Sequence, residues 1–241
     1  MKKEAGSFKI PDLGAGFNSA QLKGLAVVSM VIDHAAYMLV DKTSHAYAYQ
    51  LMRGVGRLAF PIFAFFLVEG FFHSRDLRKY ALRLLCLAAV SEIPFNLMFA
   101  RRVLYPDHQN TIWTLLIGLV TLIVFRQIEN RFEDSADISR LNLAKIAAAG
   151  LFAGCAYLLK TDYSWFGVGL IVLLYWLRYD RKRQCLYGGL VSLYHSWAIL
   201  AFIPLYYYNG VRGRYFKYFF YIFYPAHILA IYGISLLLRY F

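Results

Sequence analysis

Cysteine is scarce in this chain of 241 residues, and its arrangement excludes two architectures. Cys86, Cys155 and Cys185 are odd in number and two lie in apolar runs, so they give neither a disulfide framework nor metal-ligand spacing. The first 21 residues, "MKKEAGSFKIPDLGAGFNSAQ", lack a compact signal-peptide pattern, so the first apolar run is expected to remain as a span. No repeat period stands out, and no convincing inverted halves, which disfavours solenoids and many carriers. There is also no separate soluble domain, which leaves any chemistry among the spans or at their ends. What the chain does have is apolar surface. Hydrophobic residues make up 60%, aromatics 18%, and mean hydropathy is +0.47. Repeated apolar runs of membrane-spanning length predict an all-α, polytopic transmembrane helical bundle and argue against a soluble all-α domain.

Eight spans are predicted, at about 22–40, 54–72, 80–99, 111–126, 143–159, 164–178, 185–206 and 217–238. The longest polar connection is the charged stretch 126–140. With the N-terminus cytoplasmic, inner segments hold seventeen Lys and Arg and outer segments eight, the outer ones including Lys42, Arg53, Arg101, Arg102, Lys160, Arg212, Arg214 and Lys217. This bias predicts both termini inside, with a cytoplasmic segment over 1–21 and one transmembrane domain over 22–241. It also accounts for much of the net charge of +12 without any nucleic-acid partner. The setting is a cell membrane, with membrane lipid as the surroundings.

Polar residues at membrane depth cost roughly 3 kcal/mol each on insertion scales, so they should face the bundle interior or a wet cavity. The first span carries Asp33 and His34, with Met30, Asp33, His34 and Tyr37 on one helical stripe. Adjacent residues point about 100° apart, so Asp33 need not bond His34. Arg53 and Arg57 share a side of the second span, where Pro61 cannot donate to the carbonyl of Arg57. Glu92 and Asn96 flank Pro94 in the third span, His108 and Asn110 open the fourth, Asp162 follows the fifth, and His195 and His227 lie in the last two. In the predicted topology five elements send polar groups to the outer half, which reads as a polar chamber open to the outside.

Each of these residues also has a plainer role. Arg53 and Arg57 can snorkel to headgroups, Glu92 can pair with an arginine, and Asp162, His108 and Asn110 can cap helices or occupy loops. His195 and His227 can be packing histidines. His34 stands apart because it is deep and adjacent to an acid.

The segments "LKGLAVVSMVIDHAAYML", "GVGRLAFPIFAFFLVEGFFHSRDLRKYALRLLCLAAVSEIPFNL", "DYSWFGVG" and "YYYNGVRGRYFKYFFYIFYPAH" resemble the signature segments of the TraX family. That family is associated with N-terminal acetylation of conjugative pilin, and it in turn resembles the larger membrane acyltransferases that modify polysaccharides. Their first span pairs an Arg-Gly with a later histidine, here Lys23-Gly24 and His34. Their second ends Ser-Gly-Phe, here Glu69-Gly70-Phe71 before Arg78, Lys79 and Arg83. The resemblance implies acetyl transfer from acetyl-CoA to an amine or hydroxyl of an extracytoplasmic pilin, peptide or glycan, without a metal.

The residues bear that chemistry on their own terms. Histidine titrates near neutrality and suits a base that takes a proton from the acceptor, with His34 in that role and Asp33 supporting its charge. Arg57, Asn96 or Asn110 can supply oxyanion donors, and Arg53, Glu92, His108, Asp162 and His227 are further substrate-side candidates. Arg78, Lys79 and Arg83 sit where cytosolic phosphates would approach, although positive-inside anchoring explains them equally well. His34 lies roughly 15–18 Å from the inner end of its span, so the thioester arm must thread into the bundle. An acetyl-histidine intermediate competes with direct transfer. A proton-coupled transporter is the rival function, since intramembrane Asp, Glu and His also build proton relays; a scaffold without chemistry leaves the buried ions unexplained.

Overall fold

The computed structural model describes residues 16–132, 137–214 and 218–238. Lys2, Lys3, Lys9, Lys217 and Arg239, most of the segment 1–21 and part of the charged stretch 126–140 lie outside the described residues.

Among the described residues the regular elements are all helices, apart from two isolated bridges. Helix α1 spans Ser19–Leu39. A bent rod follows, made of α2 (Ala46–Gly56) and α3 (Ala59–His73). Next come α4 (Leu77–Ala100), α5 (Thr111–Arg131), α6 (Ile138–Leu158) and the shorter α7 (Ser164–Trp176). The chain then runs through α8 (Arg181–Ser192), a 3₁₀ segment (Leu193–Ala201), α9 (Phe202–Tyr206) and α10 (Phe219–Leu237). Seven segments are long and apolar enough to cross a membrane, and α7 is a shorter apolar helix. This is a multi-pass membrane protein, and its segments fall close to the eight expected from sequence.

Local chemistry sets the boundaries. Asn18 accepts from Gln21 N–H at 3.0 Å while the Gln21 side chain accepts from Asn18 N–H at 2.9 Å, a closed capping box that starts α1. Asp76, Asn110, Asp137 and Asp180 cap α4, α5, α6 and α8 with their side chains. Between α2 and α3 the turn tightens. Arg57 N–H bonds the Gly54 carbonyl and Leu58 N–H bonds that of Val55. Pro61, one turn on, has no N–H to return to Arg57, which is why the rod bends there.

Helix α3 is the axis of the bundle, buried along nearly its whole length and packed against α1, α5 and α7. Phe60, Phe65 and Phe71 of α3 and Phe125 of α5 are among its fully buried side chains. Helix α6 lies at the periphery with Leu143, Ile146, Leu151 and Leu158 exposed, an apolar face suited to lipid.

The seventh expected span, 185–206, does not cross. Ser196 adopts φ 54°, ψ −98°, and the chain reverses there. Phe202 of α9 returns against Gly188 of α8, and Arg181 at the start of α8 lies over Tyr208 beyond α9, with the guanidinium 5.5 Å from the ring centroid. Residues 181–206 are therefore a re-entrant hairpin with both ends on one face. Phe17 N–H bonds Tyr207 O, and Ser19 N–H bonds Val211 O, so residues 207–211 lie beside the start of α1. This proximal face also holds Arg212, which was expected on the opposite, distal face. Helix α10 then runs parallel to α1: Lys23 lies over Phe220, and His34 meets His227. Leu237 thus ends towards the distal face, not on the proximal face with Ser19, because one expected crossing is a hairpin. The move of Arg212 sharpens the charge bias. Among the described residues the proximal face holds Lys23, Arg75, Arg83, Arg126, Arg178, Arg212 and others, and the distal loops and helix ends hold Lys42, Arg53, Arg101, Arg102 and Lys160.

Candidate active site

A cavity of about 1160 Å³ runs between α1, α2, α3, α4, α5 and α10. Its distal half is lined by Asp33, His34, Tyr37, Arg53, Arg57, His108 and Asp162. Its proximal half is lined by Lys23, His73, Arg75, Tyr80, Arg83 and Arg212. Phe63, Phe66, Phe95, Phe99 and Phe223 form apolar wall between. The volume exceeds the roughly 300–1,000 Å³ of a site for one drug-sized ligand.

Asp33 and His34 are adjacent in sequence and separate in their partners. Asp33 Oδ2 receives Arg53 Nη1 at 2.5 Å, across from α2 to α1. Asp33 Oδ1 is buried without a hydrogen bond. The two helices approach this closely because Gly56 has no side chain; a Cβ there would overlap the Asp33 side chain. His34 is 8% exposed and its Nδ1 lies 2.8 Å from Nε2 of His227. The hydrogen bond to the imidazole is made with His227 and not with Asp33, since the 100° step between neighbours points the carboxylate at α2.

Arg57 and Tyr163 both line the cavity, and Tyr163 stacks on Phe60 with centroids 3.7 Å apart. Opposite, His108 Nε2 lies 3.2 Å from Asp162 Oδ1, while Thr111 donates to Asp162 Oδ2 at 2.6 Å. This pair is placed by backbone: Gln109 N–H bonds Lys160 O and Asp162 N–H bonds Gln109 O, tying the two distal loops together. The hydrogen bond to Asp162 raises the pKa of His108 against the opposing effect of burial. Burial pushes the Asp162 pKa up, but bonds from His108 and Thr111 and the nearby positive charge outweigh it, so the net shift is downward.

Several expected site residues lie behind the walls. Glu92 Oε2 accepts from Asn110 Nδ2 at 2.5 Å and Trp113 Nε1 at 2.9 Å, and does not line the cavity. Asn110 is the cap of α5, its amide also donating to Ala88 O, so it has no donor for an oxyanion. Asn96 donates to Val103 O at 3.2 Å and pins the α4–α5 loop, outside the cavity lining. His227 sits behind His34 rather than on the cavity. At the proximal mouth Arg83 lines the cavity and Arg78 and Lys79 do not; Lys79 pairs with Asp76 at 3.4 Å. Lys23, Arg75 and Arg212 were missed as mouth residues. Lys23 was legible from its place eleven residues before His34, about 16 Å down one helix. Arg212 was not, because its loop had been placed on the other face. Among the described residues no three His, Cys, Asp or Glu side chains gather as a metal site would need.

The family described as TraX protein matches residues 18–235. The chain belongs to the TraX family. The match takes in every helix that builds the cavity, from the cap of α1 to most of α10. Outside the family description, this TraX family chain is 28% identical over 253 residues to the probable fimbrial assembly protein FimC, serogroup H1, of Dichelobacter nodosus, covering 92% of this chain and 98% of that protein. No solved structure matches.

Proposed function

We propose that this TraX family protein is an integral-membrane acetyltransferase, taking acetyl-CoA at the proximal face and delivering the acetyl group to an amine or hydroxyl at the distal face. The observation that carries the reading is the continuity of one cavity from a basic mouth to a buried histidine. The basic bias makes the proximal face cytoplasmic, where acyl-CoA is found. Lys23, Arg75, Arg83 and Arg212 replace the expected trio as the phosphate-facing set, with Arg83 common to both. The thioester arm then follows the apolar wall about 16 Å to His34.

At the distal end the acceptor attacks the thioester carbonyl, His34 takes the acceptor's proton, and the C–S bond breaks to release CoA thiolate. Arg57 and the Arg53–Asp33 pair line the same chamber, and Arg57 is the donor set for the developing oxyanion. The name of the relative points to a fimbrial or pilin subunit as acceptor; a peptide or glycan fits the same chemistry. The deep ionic groups fit a proton-coupled transporter too, and a protein that binds no acyl-CoA would favour that reading.

The test is release of free CoA from acetyl-CoA by the protein in lipid nanodiscs, with His34→Ala checked for retained folding. Turnover lost in that variant supports the assignment; undiminished turnover sinks it. At the mouth, Arg75→Ala or Arg83→Ala should weaken acetyl-CoA binding by about 1 kcal/mol, roughly fivefold, and Lys79→Ala should leave it unchanged.

A further inference from the structure

The contact between His34 and His227 fixes where the protons sit. His227 Nδ1 lies 2.9 Å from the carbonyl oxygen of Phe223, one turn earlier in α10. A carbonyl oxygen only accepts, so Nδ1 carries a hydrogen, and in the neutral ring Nε2 is then a bare lone pair. That Nε2 lies 2.8 Å from His34 Nδ1, which must donate to it. His34 is left with an unprotonated Nε2, and because Nδ1 is turned to α10, Nε2 belongs to the ring edge facing the cavity. The two rings are 8% and 7% exposed, so water does not compete for these bonds. They also resist rotation. The His34 and His227 planes lie 7° apart, and Phe223 stacks on His227 at 6° with centroids 5.0 Å apart.

We propose that His227 is the positioning residue of this site: it holds His34 in the Nδ1–H tautomer and so makes Nε2 the atom that accepts the acceptor's proton. This rests on the acetyl-transfer reading. As the new bond to the acetyl carbon forms and the C–S bond breaks, the proton from the acceptor goes to His34 Nε2. The resulting imidazolium keeps its Nδ1–H on His227 Nε2, which spreads the charge over two rings. Handing the Nε2 proton to the departing thiolate restores the starting state. Asp33 has no part in this chain, because its bonded oxygen faces Arg53.

Two variants in nanodiscs separate positioning from packing. His227→Phe keeps a stacked ring and removes the acceptor. His227→Gln removes the ring and keeps an amide oxygen. The expected result is a fall in kcat of about 30-fold or more for His227→Phe with KM for acetyl-CoA unchanged, and a fall within about fivefold for His227→Gln. The reverse order, or equal losses, overturns the proposal. A readout on the wild-type protein needs no turnover: diethyl pyrocarbonate attacks unprotonated, accessible imidazole nitrogen, and peptide mass spectrometry locates the adduct. His34 should be modified and His227 protected; modification of His227 as fast as His34 refutes the wiring. Protection of His227 in a protein that never turns over acetyl-CoA leaves the hydrogen bonds standing and overturns the role in transfer.

Discussion

Arg53 of α2 and Asp33 of α1 meet at 2.5 Å, with 22% and 15% of their side chains exposed, and this pair is the polar bolt between the first two helices. It stands beside His34 without touching it. Its effect is to hold α2 against α1 and to keep Arg57, one turn on, on the cavity wall.

Removing either partner leaves the other charge in a poorly solvated place. Asp33→Asn and Arg53→Gln should each lower stability in micelles by about 1–3 kcal/mol. The double variant should recover part of that loss, with a coupling of at least about 0.5 kcal/mol in a double-mutant cycle. Strictly additive losses would contradict the pairing.

Gly56→Ala places a methyl group where the Asp33 side chain already lies. It should cost about 1–3 kcal/mol through the displaced α1–α2 contact. Gly150→Ala in α6 is the control, since a Cβ there meets nothing within 4 Å. It should be neutral or stabilising by up to about 1 kcal/mol through helix propensity. Thermal unfolding of the two purified variants decides, and equal behaviour would mean α1 and α2 are not packed this closely.

His108 has a raised pKa because Asp162 accepts from it. Its contribution to stability is therefore fully present below the ordinary histidine value of 6.5 and fades as pH rises through the raised folded value. The melting temperature of wild type should exceed that of His108→Gln more at pH 6 than at pH 8.5. A constant gap across that interval would show that the proton is not shared with Asp162.

The re-entrant hairpin puts Arg212 on the same face as Arg75, opposite Lys42 and Arg101. In a background with Cys86, Cys155 and Cys185 replaced, single cysteines at positions 75 and 212 should label from one side of oriented vesicles. Those at 42 and 101 should label from the other. Labelling of 212 together with 42 would restore a full seventh crossing.

The apolar segments, the cap role open to Asn110 and the missing donor at Pro61 were readable from residues alone. Each depends on a local rule: a run long enough for the bilayer, a side chain beside a free N–H, a ring without a donor. Membership of the TraX family was legible for the same reason, because its signature segments are contiguous. The convergence of Asp33, Arg53, Arg57, His108 and Asp162 on one depth was also legible, as counting along spans gives depth.

Three features were decided by tertiary structure. Residues 181–206 have the length and apolarity of a crossing, and only the left-handed backbone at Ser196, a residue with no sequence mark for it, turns them back. That reversal moves Arg212 to the basic mouth. Glu92, Asn96 and Asn110 lie at the right depth but face neighbouring loops and helix ends, since depth does not fix which way a side chain turns. His34 and His227 are 193 residues apart, and their contact depends on α10 running parallel to α1. The sequence by itself determined that the protein is a helical membrane bundle with costly polar groups at one level. Which of those groups meet was left to packing, because a hydrogen bond over such a separation depends on the orientation of whole helices, and no local pattern encodes that.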